Sequence, residues 1–237
     1  MYTFDSRVRY SETDEHGYLS IAGIVDYFQD TSTFQSEELG VGVEMLHSMN
    51  LVWVMSFWQI VIHEYPYLGD PVTAGTFPYD FKHFMGMRNF VLNGADGRRL
   101  VSANSVWTLM NTKKGVPEKI PADMMEKYAL EEKLDMEYTS RKIMVPEGGV
   151  AQEPFRVERQ HLDSNRHVNN GQYIHMAMNY LPADFRVGQM RAEYRRSALL
   201  GDEVIPVVVS LEDAVTVSLC GSDEKPFTVV EFTRGSV

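Results

Sequence analysis

Two stretches of the chain repeat each other, and this internal repeat constrains the fold more than any other feature. Residues 8–30 read VRYSETDEHGYLSIAGIVDYFQD, and residues 157–180 read VERQHLDSNRHVNNGQYIHMAMNY. The two segments align on aspartates that lie 149 residues apart. Further along, Leu-Gly-Asp-Pro-Val at 68–72 is matched by Leu-Gly-Asp-Glu-Val at 200–204. Two matches in the same order indicate a duplicated unit.

Each copy contains one amphipathic stretch with the spacing of a helix. In the first copy Ser20 is a suitable N-cap, and apolar residues follow at i, i+3, i+4 and i+7 from Ile21. In the second copy the helix is expected to begin at Asn169 or Asn170, and its apolar stripe extends to Leu181. Runs with strand composition, bounded by turn residues, follow each helix. They cover residues 51–63, 72–84, 87–93 and 99–112 in the first half and 189–194, 204–211, 214–220 and 228–233 in the second.

A helix lying across one face of a curved antiparallel sheet buries the apolar faces of both elements, so each half is predicted to be an α+β domain. The 237-residue length suits two domains of about 100 residues each. The first domain is predicted to cover residues 1–115, and the second residues 151–237. Residues 116–150 are charged and contain several prolines and glycines, which predicts a linker.

Composition excludes several classes of function. The net charge of −11 argues against nucleic-acid binding, and the single cysteine excludes an internal disulfide or a cysteine-rich zinc site. The seven histidines form no HExxH motif, so we predict neither a metal nor a cofactor. The charged N-terminal segment does not resemble a signal peptide, and the longest apolar run, residues 51–62, is too short for a membrane helix. We therefore expect a cytoplasmic protein that binds neither membranes nor nucleic acid.

The second copy carries a dense run of polar residues, Leu-Asp-Ser-Asn-Arg-His-Val-Asn-Asn at 162–170. Asp163, Asn165 and His167 alternate, so an extended loop would point all three side chains the same way. They precede a helix N-terminus, where free N–H groups stabilise negative charge. A carboxylate, an amide and an imidazole beside such donors suit hydrolytic chemistry. The same residue types also form turns and N-caps, and this purely structural interpretation stays open.

This polar run, together with Glu-Tyr-Arg-Arg at 193–196, resembles the signature of the acyl-[acyl-carrier-protein] thioesterases, a family of plant enzymes and their bacterial relatives. Tyr-Ser-Glu-Thr-Asp at 10–14, Trp53 and Gly-Met-Arg at 86–88 resemble the first repeat of that family. The resemblance covers nearly the whole chain and implies a tandem (double) hotdog fold. It implies hydrolysis of fatty acyl thioesters by activated water, releasing free fatty acid from an acyl carrier protein (ACP) whose phosphopantetheine arm holds the acyl chain.

The resemblance also implies roles for individual residues. Asp163, Asn165 and His167 match the catalytic aspartate, asparagine and histidine of the family, and either Asp163 or His167 is the base. The substrate is expected to contact Ile24, Phe28, Trp53, Met55, Trp58, Arg195 and Arg196. The apolar members of this set would wall the acyl pocket, and the two arginines are candidates for carrier docking, although such a pair is more often simply solvated.

One position departs from the family pattern. In the plant members a glutamate and then a cysteine follow the Tyr-Arg-Arg run, whereas this chain has Ser197 and Ala198. A cysteine nucleophile at that position is therefore excluded. The first copy has His16 and Tyr18 where the second has Asn165 and His167, so we expect one active site per chain.

Three other functions fit the same sequence. The protein could hydrolyse acyl-CoA on the same fold, act as a hotdog hydratase or dehydratase, or bind acyl chains without catalysis. The chain length of the substrate is not encoded in any motif, and assembly as a homodimer is left open.

Overall fold

The computed structural model describes residues 1–163 and 165–235. The chain divides into two compact units, the first made of Met1–Ser56 and His63–Tyr138 and the second of Phe57–Ile62 and Thr139–Val237. Residues 116–150, predicted as a linker, are thus divided between the two units after Tyr138. Among the described residues, no helix combines the length and the apolar character needed to span a membrane.

The first unit consists of an antiparallel sheet and one long helix. Its helices are α1 (Ile21–Glu38), α2 (Val43–Ser48), α3 (Ala122–Glu126) and a 3-10 turn at Tyr10–Glu12. Its strands are β1 (Tyr2–Arg7), residues 51–56 of β2 (Leu51–Ile62), β3 (Pro71–Lys82), β4 (Met85–Gly94), β5 (Arg99–Asn111) and β6 (Val116–Pro117). The strands are hydrogen-bonded in the order β1, β3, β4, β5, β2, and β6 pairs with the end of β5.

Helix α1 forms where the sequence predicts it. The Ser20 side chain accepts the N–H of Gly23 at 3.0 Å, as expected for an N-cap. The predicted apolar stripe of the helix is buried, and the Phe28 ring packs against Phe90 of β4 with centroids 5.2 Å apart. Burying each large apolar side chain stabilises the unit by about 1.5–3 kcal/mol. The helix is therefore held mainly by its contact with the sheet.

The second unit repeats this plan with a shorter helix. Its helices are α4 (Asn170–Met178) and a 3-10 turn at Arg159–His161. Its strands are Phe57–Ile62 of β2, β7 (Val150–Ala151), β8 (Phe155–Arg156), β9 (Val187–Tyr194), β10 (Glu203–Ser210), β11 (Ala214–Cys220) and β12 (Pro226–Arg234). The antiparallel order is β2, β9, β12, β11, β10, β7, and β8 pairs with β10.

The eight predicted strands are confirmed, with ends that differ from the structure by at most two residues. The second helix differs from its expected length, since α4 has nine residues against 18 in α1. Leu181, assigned to its apolar stripe, lies beyond the end of the helix. Pro182 follows immediately, and a proline disfavours helical geometry in the residue before it.

We expect Asp26→Asn to raise the free energy of unfolding at pH 8 and to leave it unchanged at pH 3. Partial burial, then repulsion from Asp30 and Glu12, raises the pKa of Asp26 from 3.8 to about 6. The folded state therefore holds this proton more tightly, and stability falls as pH rises through that range. Because more than a third of the residue's surface still contacts solvent, which screens these charges, we expect a gain below about 1 kcal/mol. Urea unfolding at both pH values measures it, and an equal gain at each would contradict an electrostatic cause.

Candidate active site

The polar run of the second repeat forms a tight turn. The N–H of Asp163 donates to the carbonyl oxygen of His167 at 2.8 Å, and the N–H of Arg166 donates to the carbonyl oxygen of Asp163 at 3.0 Å. The Asp163 Oδ1 atom accepts the N–H of Asn165 at 2.8 Å and the N–H of His167 at 3.1 Å. A single carboxylate oxygen thus closes the turn that carries all three predicted catalytic residues.

The expectation of an extended loop is wrong. Arg166 has a φ of 63°, in the left-handed region, and the chain reverses there. A non-glycine residue in this region costs about 1–2 kcal/mol, which the surrounding hydrogen bonds must offset. Asp163, Asn165 and His167 are brought together by the turn and not by the alternation of an extended strand.

The first repeat contains the same turn. The N–H of Asp14 donates to the carbonyl oxygen of Tyr18 at 2.8 Å. The Asp14 Oδ1 atom accepts the N–H groups of His16 and Tyr18, each at 2.9 Å. Gly17, with a φ of 82°, occupies the position of Arg166. The turn therefore belongs to the duplicated scaffold, and the duplication inferred from the sequence is confirmed at the level of individual hydrogen bonds.

The turn leads directly into helix α4. The Asn169 side chain accepts the N–H of Gly171 at 2.8 Å and caps the helix, as the sequence predicts. The Asn169 N–H donates to the carbonyl oxygen of His161 at 2.9 Å, which fixes the start of the helix against the preceding 3-10 turn. Asn165 and His167 are exposed, and Asp163 is half-buried. An accessible amide and imidazole thus lie just before a helix N-terminus, whose dipole favours an anion.

A second segment, residues 197–199, lies against the turn. The carbonyl oxygen of Ala198 accepts the N–H of Val168 at 3.1 Å, and His167 and Leu199 form an antiparallel bridge. The Ala198 N–H donates to the Tyr173 hydroxyl at 2.8 Å. Ala198, at the position where plant relatives have cysteine, is fully buried.

Two tyrosines connect helix α4 to β9 and to the segment 197–199 that follows it. Tyr173 of α4 and Tyr194 of β9 pack edge to face with ring centroids 6.0 Å apart, and the Tyr194 hydroxyl donates to the carbonyl oxygen of Asn170 at 3.0 Å. Burial raises the pKa of Tyr173 to about 12 and also raises the pKa of Tyr194. Both phenols are therefore neutral near pH 7 and act as hydrogen-bonding groups.

The two predicted docking arginines already have partners within the second unit. Arg195 pairs with Glu193 at 2.9 Å, and the same Glu193 oxygen accepts the N–H of Ile143 at 3.0 Å. Arg196 pairs with Asp223, and its guanidinium lies 4.2 Å from the centroid of the Phe227 ring. Both arginines are partly exposed, so they keep access to solvent while their charges are largely balanced.

The predicted acyl-pocket residues lie in the cores of the units. Ile24, Phe28 and Met55 are buried in the first unit, and Trp53 packs, half-buried, against a neighbouring core cluster there. Trp58 is buried and belongs to the second unit. Complete burial suits both a pocket wall and an ordinary core, so their role in substrate binding stays a prediction.

The first unit contains a buried cation that was not predicted from the sequence. The Arg88 guanidinium donates to the side-chain oxygens of Gln35 on α1 and Thr76 on β3 and lies 5.5 Å from the ring centroid of Tyr128. Burial lowers its pKa to about 10. The polar residues that continue α1 beyond Phe28, at 31, 32, 35 and 36, were the sequence signal for a polar interior at this end of the helix.

Metal-binding side chains do not cluster in the part of the chain that the structure describes, since no three His, Cys, Asp or Glu residues there could hold an ion together. The arrangement at the turn of 163–167 suits acid–base chemistry on a polar bond next to an anion-stabilising helix end.

Two family models match the chain. The model of the acyl-ACP thioesterase N-terminal domain matches residues 1–128, and the model of the acyl-ACP thioesterase C-terminal domain matches residues 146–217. The chain is 27% identical over 216 residues to a chloroplastic palmitoyl-acyl carrier protein thioesterase of Gossypium hirsutum, a match that covers 83% of this chain and 52% of that protein. It is 26% identical over 209 residues to the acyl-[acyl-carrier-protein] hydrolase FATB3 of Cuphea viscosissima, covering 81% of this chain and 50% of that protein. The chain thus spans about half the length of these curated relatives.

Solved structures share the fold over nearly the whole chain. An acyl-ACP thioesterase from Bacteroides thetaiotaomicron superposes with a TM-score of 0.89 at 20% identity, covering 98% of this chain and 97% of that one. The 12:0-ACP thioesterase from Umbellularia californica gives a TM-score of 0.85 at 18% identity, with the same coverage of each chain. The predicted α+β tandem hotdog fold is confirmed.

Proposed function

The chain belongs to the acyl-ACP thioesterase family, and from this premise we propose that it hydrolyses fatty acyl-ACP thioesters to free fatty acid and carrier protein. The observation that carries the proposal is the turn of residues 163–167, which presents an exposed imidazole and amide at the N-terminal end of α4. The resemblance assigns catalysis to this turn, and its residue types suit that assignment.

The proposed reaction uses water as the nucleophile. The water oxygen bonds to the thioester carbonyl carbon while its proton passes to His167 or to Asp163. The carbonyl oxygen becomes an oxyanion, which the positive end of the α4 dipole stabilises. Collapse of this intermediate breaks the C–S bond, and the departing pantetheine sulfur takes up the proton. Asn165 orients the water or the carbonyl group.

An exposed imidazole is the side chain best suited to exchange protons near neutral pH, which favours His167 as the base. Asp163 already uses Oδ1 to accept two backbone N–H groups, so its carboxylate contributes a fixed negative charge to the turn that carries His167. The carboxylate would stabilise an imidazolium as it forms.

The carrier protein is the proposed partner, and the proposed location is the cytoplasm. Carrier proteins are acidic as a rule, and this chain carries a charge of −11, so docking needs a local basic surface. Arg195 and Arg196 are the candidates, and a partner carboxylate would have to compete with Glu193 and Asp223 for them.

Thiol release from matched acyl-ACP and acyl-CoA substrates over a range of chain lengths tests the function. We expect saturable release from both, with kcat/KM at least about tenfold higher for the carrier-bound substrate, because only the carrier adds protein contacts to those of the pantetheine arm. This advantage should shrink at high salt if charge pairs mediate docking. A preference for acyl-CoA would favour the CoA thioesterase alternative, and binding without thiol release would favour a non-catalytic acyl-binding protein.

A further inference from the structure

The Tyr173 hydroxyl is tied to the proposed catalytic turn through one buried residue. It accepts the N–H of Ala198 at 2.8 Å, and both residues are buried, with 2% and 0% of their surfaces exposed. The carbonyl oxygen of Ala198 accepts the N–H of Val168, and the adjacent residues His167 and Leu199 are bridged. Two hydrogen bonds to Ala198 thus link the phenol to the N–H of Val168, which shares its peptide group with His167.

The first repeat has the same backbone arrangement but lacks a hydrogen bond equivalent to that between Ala198 and Tyr173, which we call the tie. There the N–H of Leu19 donates to the carbonyl oxygen of Pro66 at 2.9 Å, and Tyr18 is bridged to Tyr67. Pro66 stands at the position of Ala198 and has no N–H to donate. The residue at the position of Tyr173, on α1, is Ile24, which has no polar atom in its side chain to accept one.

The N–H donor of Ala198 and the hydroxyl acceptor of Tyr173 are therefore both present in the second repeat. Both are missing at the matching positions of the first repeat. The fold does not need them, because the first repeat forms the same turn and the same backbone pairing without them. They occur in the repeat that carries Asp163, Asn165 and His167. A buried N–H costs free energy when it lacks an acceptor, so the Tyr173 hydroxyl fixes where Ala198 can lie.

We propose that Tyr173 is a positioning residue for His167, acting through the backbone of Ala198; the role rests on the proposed function. The phenol contacts the N–H of Ala198, and the bridge between Leu199 and His167 carries the constraint to the backbone from which the imidazole projects. Since the phenol is neutral near pH 7 and its oxygen is occupied as an acceptor, Tyr173 acts as a fixed hydrogen-bond partner and not as a base.

A double-mutant cycle tests the tie. Tyr173→Phe removes the acceptor, and Ala198→Pro removes the donor by installing the residue that the first repeat uses at this place. We expect each single change to lower kcat by about 10- to 100-fold, because small displacements of a catalytic group have effects of this size. KM should change less than about twofold, since the acyl chain is not contacted. The pH–rate profile should change on its acidic limb, which reports the general base.

If the two groups act as one tie, the double variant Tyr173→Phe/Ala198→Pro should lose no more activity than either single variant. Losses that multiply in the double variant would overturn the proposal. Tyr27→Phe is the matched control, because Tyr27 is also 2% exposed and its hydroxyl lies 3.0 Å from the carbonyl oxygen of Arg7 and 2.9 Å from a Glu12 carboxylate oxygen in the first unit. It should lower stability and leave both kcat and the pH profile unchanged.

An observation without substrate separates this proposal from the proposed function. Amide hydrogen exchange at Ala198 should accelerate in Tyr173→Phe, and the backbone amide NMR signals of His167 and Val168 should move, even if the protein hydrolyses none of the thioesters tried. Unchanged exchange at Ala198 together with unchanged amide signals of His167 and Val168 would disprove the link between Tyr173 and the turn. Absence of thiol release in the wild-type protein, by contrast, would count against the thioesterase function alone.

Discussion

Asp163→Asn is expected to lower kcat for acyl-ACP hydrolysis by about 10³-fold while the protein keeps its fold, because the change removes the charge and keeps the acceptor. An asparagine Oδ1 atom can still accept the N–H groups of Asn165 and His167 that close the turn. The substitution removes the negative charge that would stabilise the imidazolium. If Asp163 is the base, the substitution removes the base itself. Steady-state kinetics at saturating acyl-ACP measures kcat, and urea unfolding measures whether the fold keeps its stability.

The comparison with alanine and with the first repeat separates chemistry from structure. Asp163→Ala should lose the same activity and, in addition, about 1–2 kcal/mol of stability, because the two N–H groups lose their acceptor. Asp14→Ala should show a similar loss of stability with wild-type kcat, since Asp14 closes the same turn in the repeat that has no histidine at the matching position. Wild-type activity in Asp163→Asn would mean that Asp163 only shapes the turn.

The sequence contains enough to predict the architecture. A repeat, two N-caps at Ser20 and Asn169, and strand runs bounded by turns predict the two α+β halves, because each signal is local. The duplicated turn is also local, and it could have been foreseen, since Asp14 lies two residues before His16 and four before Tyr18, as Asp163 does before Asn165 and His167.

What the sequence could not predict depends on contacts between distant residues. Glu193 on β9 accepts the N–H of Ile143, a residue of the predicted linker 50 positions away, and also pairs with Arg195. The contact of Tyr173 with Ala198 depends on how α4 lies against the segment after β9. Neither contact has a spacing that a periodic pattern would reveal, so both are visible only in the three-dimensional structure.

His167→Ala is expected to lower kcat by about 10³- to 10⁴-fold, the effect of removing a general base, with little change in KM. Because His167 is exposed, truncation should cost less than about 0.5 kcal/mol in stability. The exposed position also makes rescue feasible, so added imidazole should restore part of the activity of His167→Ala.

Two further measurements make the role of His167 specific. His16→Ala, in the matching turn of the first repeat, should leave kcat unchanged, because His16 occupies the position of Asn165 and its repeat has tyrosine at that of His167. The acidic limb of the pH–rate profile should disappear in His167→Ala and persist in His16→Ala. If His167→Ala retains that limb and most of its activity while Asp163→Asn does not, then the carboxylate is the base and the imidazole only orients the substrate.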